Sequence, residues 1–264
     1  MPELPEVEAA AVALRAVAVG QTIARVRRLH PSHRRQLSAA AARRLVGQTI
    51  TAVERRGKYQ RIDLSGGATL VAHFRMTGDW DIGRVDDPVP PYARVVIDLA
   101  NGTRVALVDP RALSAFATGD FPTDLGADPT DPALTAVQFQ AILANRRTPI
   151  KVALLDQRLL AGVGNIYASE ALWRAAIDPR RPAESLTRGE AGRLLTAIRY
   201  VMRMGGRYAY GEGRFAVYDR EGEPCRRCGG TIERFTQAGR STYWCPACQP
   251  VSPTATPAPR RARP

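Results

Sequence analysis

Tyr59-Gln60-Arg61-Ile62-Asp63-Leu64 and Thr69-Leu70-Val71-Ala72-His73-Phe74 flank the glycine pair Gly66-Gly67, and in both runs apolar and polar side chains alternate with period two. Such runs read as half-buried strands, and the glycines supply the positive φ that a hairpin turn needs. Outward from this hairpin the same period continues at Ile23 to Val26, Thr49 to Val53 and Arg94 to Leu99, with Asn101-Gly102 as a second turn. The region from Thr22 to about Val108 is therefore expected to be antiparallel sheet, folded as a two-layer sandwich. Ahead of it, Val7, Ala11, Leu14 and Ala18 fall at helical spacing between an acidic first turn and Gly20, which predicts a helix over Glu6 to Val19.

Beyond the sheet the chemistry changes. Pro122, Gly126, Pro129 and Pro132 mark a linker. Helical patterns follow at Ala133 to Asn145, Ile150 to Gln157, Asn165 to Ile177 and Thr187 to Met204. Between the middle two lies Ala161-Gly162-Val163-Gly164-Asn165, where Asn165 could cap the next helix and the helix start would suit a phosphate. An ordinary helix-to-helix turn has the same composition. The fold class is α+β and multidomain: a sandwich over 1–130 with its N-terminal helix, a helical domain over 131–216, a cysteine module over 217–249, and a disordered basic tail over 250–264.

The 264 residues carry 38 Lys plus Arg against 25 Asp plus Glu, a net charge of +13, and 45% hydrophobic residues exclude global disorder. No run approaches the roughly 20 apolar residues of a membrane span. Met1-Pro2-Glu3-Leu4-Pro5-Glu6 is acidic where a secretory signal is basic, so a cytoplasmic protein without membrane attachment is expected. The positive field favours a polyanion, most often nucleic acid, although a solvated Arg-rich surface gives the same charge. Lys58 and Lys151 are the only lysines. Their ammonium groups are compact charges of a kind guanidinium does not supply, which makes both candidates for site residues.

All four cysteines fall in the pattern Cys225-x2-Cys228-x16-Cys245-x2-Cys248. Two such turns present four thiolates to one tetrahedral Zn²⁺, and four sulfur ligands leave no position for water, so the ion is expected to be structural. Two disulfides are the alternative, less suited to a cytoplasmic chain. Arg226, Arg227, Arg234 and Arg240 accompany the hairpin and could face a phosphate backbone or solvent. At the other end, removal of Met1 would make Pro2 a secondary amine able to attack a sugar carbon and leave an iminium, with Glu3 as the neighbouring acid. A proline between carboxylates can also simply open a helix.

Taken together, Met1-Pro2-Glu3-Leu4-Pro5-Glu6-Val7-Glu8, Gly57-Lys58-Tyr59, His73-Phe74-Arg75-Met76-Thr77-Gly78, Asp109-Pro110-Arg111, Leu155-Asp156-Gln157, Gly162-Val163-Gly164-Asn165-Ile166-Tyr167-Ala168-Ser169-Glu170 and the cysteine finger resemble the bacterial formamidopyrimidine-DNA glycosylases of the Fpg/Nei group, in family order from residue 1 to 249. The resemblance implies a β-sandwich, a helix-two-turns-helix domain and a zinc finger. It implies a monomeric base-excision-repair enzyme, glycosylase and AP lyase in one, that binds damaged double-stranded DNA in a cleft between its lobes and flips the damaged base out of the stack. By position, Pro2 is the nucleophile, Glu3 the acid that opens the sugar, and Glu6 the support of that pair. Lys58 serves β-elimination and Arg240 δ-elimination. Asn165 and Tyr167 are phosphate ligands, Arg146 and Lys151 basic contacts, and His73 a further DNA contact. Met76 and Arg111 fill the gap and hold the orphaned base.

The chain departs from that pattern in four places. Where the family has Arg-Phe-Gly after Asp-Pro-Arg, this chain has Ala112-Leu113-Ser114, so an aliphatic Leu113 would do the wedging. The family's His-Leu-Gly-Met becomes His73-Phe74-Arg75-Met76, and a DNA-contacting His is replaced within Tyr92-Ala93-Arg94. Only 18 residues, 207–224, separate Gly206 from Cys225. The family's base-capping loop seated there is expected to be missing, leaving an open pocket in which 8-oxoguanine is a poor substrate beside ring-opened purines, hydantoins or bulkier adducts. A damage-binding protein without catalysis, or an AP lyase with little glycosylase activity, are the competing functions. The joint presence of Pro2, Glu3 and Lys58 argues against the first.

Overall fold

A computed structural model of the protein describes residues 2–205 and 215–250. Met1, residues 206–214 and the stretch from 251 lie outside the described residues, and with them the first part of the shortened stretch 207–224 and nearly all of the expected tail. The chain divides into two compact units, Met1–Leu125 and Gly126–Pro264.

The first unit opens with α1 (Leu4–Ala18) and continues through β1 (Ile23–Arg28), α2 (Pro31–Gln36), α3 (Ala39–Leu45) and seven further strands, β2 (Ile50–Arg56), β3 (Tyr59–Leu64), β4 (Thr69–His73), β5 (Asp79–Arg84), β6 (Ala93–Leu99), β7 (Thr103–Val108) and β8 (Ala115–Thr118). They form two antiparallel four-stranded sheets, ordered β1-β6-β7-β5 and β2-β3-β4-β8. The expected hairpin stands in the second sheet with Asp63 opposite Thr69 and Tyr59 opposite His73. The sandwich core joins Val7, Ala11 and Leu14 of α1 to Ile62, Leu64, Leu70 and Phe116 of one sheet and Val95, Ile97, Leu99 and Leu107 of the other. Each Val, Leu, Ile or Phe side chain among these contributes about 1.5–3 kcal/mol on leaving water. One polar group crosses this core: buried Gln60 donates to the Val7 carbonyl at 3.0 Å and accepts from the Trp80 indole at 2.7 Å, tying α1 to β3 and β5.

The first helix begins at Leu4, two residues earlier than its apolar spacing indicates, because Pro5 in the first turn loses no hydrogen bond and Glu3 and Glu6 close a capping box. The short helices α2 and α3 carry too few residues for a period to show. Their starts are marked by caps instead, His30 accepting from Ser32 N–H and Ser38 from Ala41 N–H.

In the second unit, α4 (Ala136–Leu143), α5 (Ile150–Leu155), α6 (Asn165–Ala175) and α7 (Arg188–Gly205) match the four expected helices, and β9 (Glu233–Gln237) pairs antiparallel with β10 (Arg240–Trp244) in the cysteine module. The module packs on α6 through one small core of Val217, Cys225, Ile232, Tyr243 and Cys245 with Trp173 against it. No helix among the described residues is long and apolar enough to cross a membrane.

Candidate active site and nucleic-acid contacts

Pro2 is half-buried at the mouth of α1 and Glu3 beside it is 1% exposed. Within the capping box the Glu3 N–H donates to Glu6 Oε2 at 2.8 Å, so Glu6 fixes the backbone on which both stand. Lys58, itself buried, sits at the second position of the two-residue turn between β2 and β3, after Gly57 at φ 58°. Glycine at the first central position with positive φ is the signature of a type II′ hairpin. The turn is braced to α1: Arg55 donates to Glu8 Oε2 at 2.5 Å and to the Gly57 carbonyl at 3.4 Å, and Arg15 of the same helix donates to the Val53 carbonyl at 2.9 Å. The helix that follows Pro2-Glu3 and the turn that carries Lys58 are thus one braced assembly.

His73 lies across the sheet from this turn, its ring edge-on to Tyr59 at 4.4 Å between centroids. The Arg75 N–H donates to its Nδ1 at 2.9 Å, so the neutral ring carries its proton on Nε2. Burial, then the charges of Arg75 and Lys58, push its pKa down to about 4. Arg75 keeps a left-handed backbone, φ 56°, at the family's glycine position. Met76 next to it is 40% exposed.

Asp109, fully buried, gathers the neighbouring loops. Its carboxylate accepts from the Thr77 hydroxyl, from Arg111 N–H at 3.1 Å and from Ser114 N–H at 2.7 Å, and its own N–H donates to the Tyr92 carbonyl at 3.1 Å. Burial opposes ionisation, and these donors outweigh it, holding the carboxyl below its ordinary range. Arg94 closes the assembly on the Asp109 and Pro110 carbonyls at 2.7 and 3.1 Å. Met76, Leu113 and Tyr92, all exposed, and exposed Arg111 project from loops tied to this one group.

In the second unit the start of α6 differs from expectation. Gly164, not Asn165, is the N-cap, and no side chain caps the helix. Gln157 holds the approach to it, accepting from Gly162 N–H at 2.9 Å and donating to the Val163 carbonyl at 2.8 Å. Asn165 Nδ2 donates instead to the Ser241 carbonyl at 3.0 Å, while its Oδ1 is buried without a hydrogen-bond partner. Lys151 is 1% exposed, and its ammonium donates to that same carbonyl at 2.9 Å and to Thr242 Oγ1 at 2.8 Å. Both residues clasp the strand immediately after Arg240. Arg240 itself is exposed and follows the Ala238-Gly239 turn, whose φ values of 48° and 73° are those of a type I′ hairpin. Tyr167 is buried, edge-on to Phe215 at 6.4 Å. Arg146 is exposed.

The four cysteine Sγ atoms lie within 4.8 Å of one another, with Cys225 to Cys248 at 3.9 Å and Cys228 to Cys245 at 3.5 Å. These separations are too long for disulfides and match the roughly 3.8 Å edge of a tetrahedron with zinc–sulfur bonds of about 2.3 Å. The residues fit one structural Zn²⁺. Trp173 of α6 donates its indole N–H to Cys225 Sγ at 3.4 Å, and Arg227 stacks over that indole at 4.3 Å. Glu170 holds the next segment, accepting from Ala216, Val217 and Tyr218 N–H at 2.8, 2.9 and 2.9 Å. Asp109, Gln157 and Glu170 stand in the quoted motifs, which is the signal that could have singled them out. Glu8–Arg55 and Trp173 become functional neighbours only through the fold.

His33, 0% exposed, has its pKa pushed down to about 4, first by burial and then by the nearby His30. Two histidines that stay neutral when folded, but charge near pH 6.5 when unfolded, make stability constant above that pH and lower it progressively toward pH 4. The slope is at most about 1.4 kcal/mol per pH unit for each. Urea midpoints are expected to fall between pH 7 and pH 5, and equal midpoints would contradict the buried neutral rings.

Three family descriptions match in order: the formamidopyrimidine-DNA glycosylase N-terminal domain over residues 1–116, the formamidopyrimidine-DNA glycosylase H2TH domain over 125–211, and the zinc finger found in FPG and IleRS over 222–251. The formamidopyrimidine-DNA glycosylase of Rhodopseudomonas palustris is 38% identical over 94% of this chain and 100% of its own, and that of Moorella thermoacetica 43% identical over 89% and 94%. The Lactococcus lactis Fpg complexes with abasic-site DNA and with Fapy-dG DNA, both 28% identical, superpose with TM-scores of 0.84 and 0.85 over 94% of this chain and 100% of each of theirs. The sandwich, the helical domain and the four-cysteine finger are therefore the three parts of one known repair enzyme, and the chain belongs to the formamidopyrimidine-DNA glycosylase family of base-excision DNA glycosylases.

Proposed function

We propose that the protein is a bifunctional glycosylase and AP lyase acting on damaged duplex DNA through Pro2. With Met1 removed, the proline nitrogen bonds to C1′ of the damaged nucleotide as the bond from C1′ to the base breaks, and the base leaves with a proton. Glu3 protonates the sugar ring oxygen as the ring opens to an iminium. Loss of a proton from C2′ expels the 3′ phosphate, and a second elimination expels the 5′ phosphate. Hydrolysis of the iminium then frees Pro2. Lys58 steadies the leaving phosphate in the first elimination and Arg240 in the second. Asn165 and Lys151 act by holding the Arg240 strand, and Met76, Arg111 and Leu113 occupy the gap left by the flipped base.

The observation that carries this reading is the brace from Glu8 through Arg55 to the Gly57 carbonyl, which ties Lys58 to the helix that follows Pro2-Glu3. Borohydride reduction on abasic-site duplex is expected to trap a covalent adduct, and a form that retains Met1 should give none. Failure of the processed protein to form an adduct would remove the nucleophile and leave a damage-binding protein. For the base itself, the short stretch 207–224 supports an open pocket, with 8-oxoguanine excised more slowly than ring-opened purines. Single-turnover excision from a panel of lesions measures this, and 8-oxoguanine removed as fast as the best of them would refute it.

A further inference from the structure

We propose that the buried hydrogen bond between Ser114 and His33 sets the seating of Leu113, so that His33 is a positioning residue for reading the base opposite the lesion. The proposal rests on the reading of Leu113 as the wedge.

Leu113 is 46% exposed on a loop closed by one carboxylate, Arg111 N–H and Ser114 N–H donating to the two oxygens of Asp109 at 3.1 and 2.7 Å. Ala112 holds a left-handed backbone at φ 52°, a conformation that an L-residue keeps only where its surroundings impose it. Ser114, directly after the wedge, is 0% exposed. On one side it meets the Met76 turn, where a Cβ added at Gly78 would lie 3.1 Å from the Ser114 Cβ. On the other it meets α2. His33 Nε2 is 3.2 Å from Ser114 Oγ, and Gln36 donates to the Ser114 carbonyl at 3.4 Å while accepting from Phe116 N–H at 2.7 Å.

The direction of the hydrogen bonds follows from one fixed donor. Ser32 N–H donates to His30 Nδ1, so that nitrogen is an acceptor and takes the Ser32 hydroxyl proton as well, at 2.7 Å. Ser32 Oγ must then accept from His33 Nδ1–H at 3.0 Å, which leaves His33 Nε2 as the acceptor for the Ser114 hydroxyl. The Ser114 hydroxyl thus stands between His33 Nε2 and the Asp109 carboxylate that also accepts its backbone N–H, so the side chain is held from both sides. The only buried residue of α2 is this histidine. An apolar side chain would be the ordinary way to seat a six-residue helix. Here the helix gives its buried position to a polar contact beneath the wedge loop.

The test compares excision opposite each of the four bases for wild type, Ser114→Ala, His33→Leu, His33→Gln and Leu113→Ala, with cleavage of a single-stranded abasic oligonucleotide as the reference that needs no opposite base. Ser114→Ala and His33→Leu are expected to compress the ratio between best and worst opposite base by about threefold or more, with single-stranded cleavage within about twofold of wild type. His33→Gln, whose amide oxygen can accept from Ser114, should recover the ratio. An unchanged ratio in Ser114→Ala and His33→Leu, with Leu113→Ala compressing it, would overturn the positioning role and leave the wedge intact. An unchanged ratio in Leu113→Ala would overturn the wedge reading and this proposal with it. Equal losses on every substrate would mark His33 as merely structural and also overturn it.

Discussion

Glu3→Gln is expected to lower base excision by about 10²- to 10⁴-fold while sparing strand cleavage at an abasic site made beforehand. The separation comes from the state of the sugar. In an intact damaged nucleotide the ring is closed, and an acid must protonate its oxygen as the iminium forms. An abasic sugar exchanges with its open aldehyde, which an amine attacks without that proton. The amide cannot donate as a carboxylic acid does, yet it keeps the length and an acceptor oxygen for the capping box at the start of α1. Loss of helix seating is therefore not the expected outcome, and the melting temperature should stay near that of wild type. Single-turnover rates on a ring-opened purine and on an abasic duplex, measured side by side, read the two effects. Equal losses on both would assign Glu3 a structural task, and no loss on either would move the acid elsewhere.

What the sequence shows of the fold and the site depends on where the information resides. The hairpin of Tyr59–Leu64 and Thr69–His73 was legible because alternation and a glycine pair are local signals, and the cysteine spacing because metal geometry is. The edge strand β5 was not singled out: it lies at the end of its sheet and buries little of its length. Lys151 shows a sharper limit. Its rarity makes it a candidate, and the resemblance implies a basic DNA contact, but its ammonium is turned inward onto the Ser241 carbonyl and Thr242. A scarce charge in the sequence does not reveal whether it faces a phosphate or a backbone oxygen 90 residues away. The Asp109 assembly is similar, because its partners Thr77, Tyr92 and Ser114 become neighbours only when three loops converge.

Removing zinc, by chelation or by Cys245→Ala, is expected to weaken duplex binding at least about 100-fold and to abolish cleavage, because structural zinc supplies folding free energy outright. The finger's own apolar core is Val217, Cys225, Ile232, Tyr243 and Cys245, so two of its five buried members are themselves metal ligands. A core of that size does not sustain a module of this length unaided. Loss of the metal removes the register of β9 and β10, and with it the placement of Arg240 one residue past the hairpin turn. The clasp from Lys151 and Asn165 onto the Ser241 carbonyl then loses the acceptor that both share. The sandwich unit contains none of these groups and should keep its strands. Trp173 gives a direct readout, since its indole donates to Cys225 Sγ and carries the Arg227 guanidinium on its face. Of the three tryptophans in the chain, Trp173 and Trp244 lie in the second unit, so emission should change in step with zinc release and return on adding zinc back. Stoichiometric loss of zinc with unchanged affinity, and with unchanged emission, would show that the hairpin holds without its metal and that Arg240 is positioned by the helices alone.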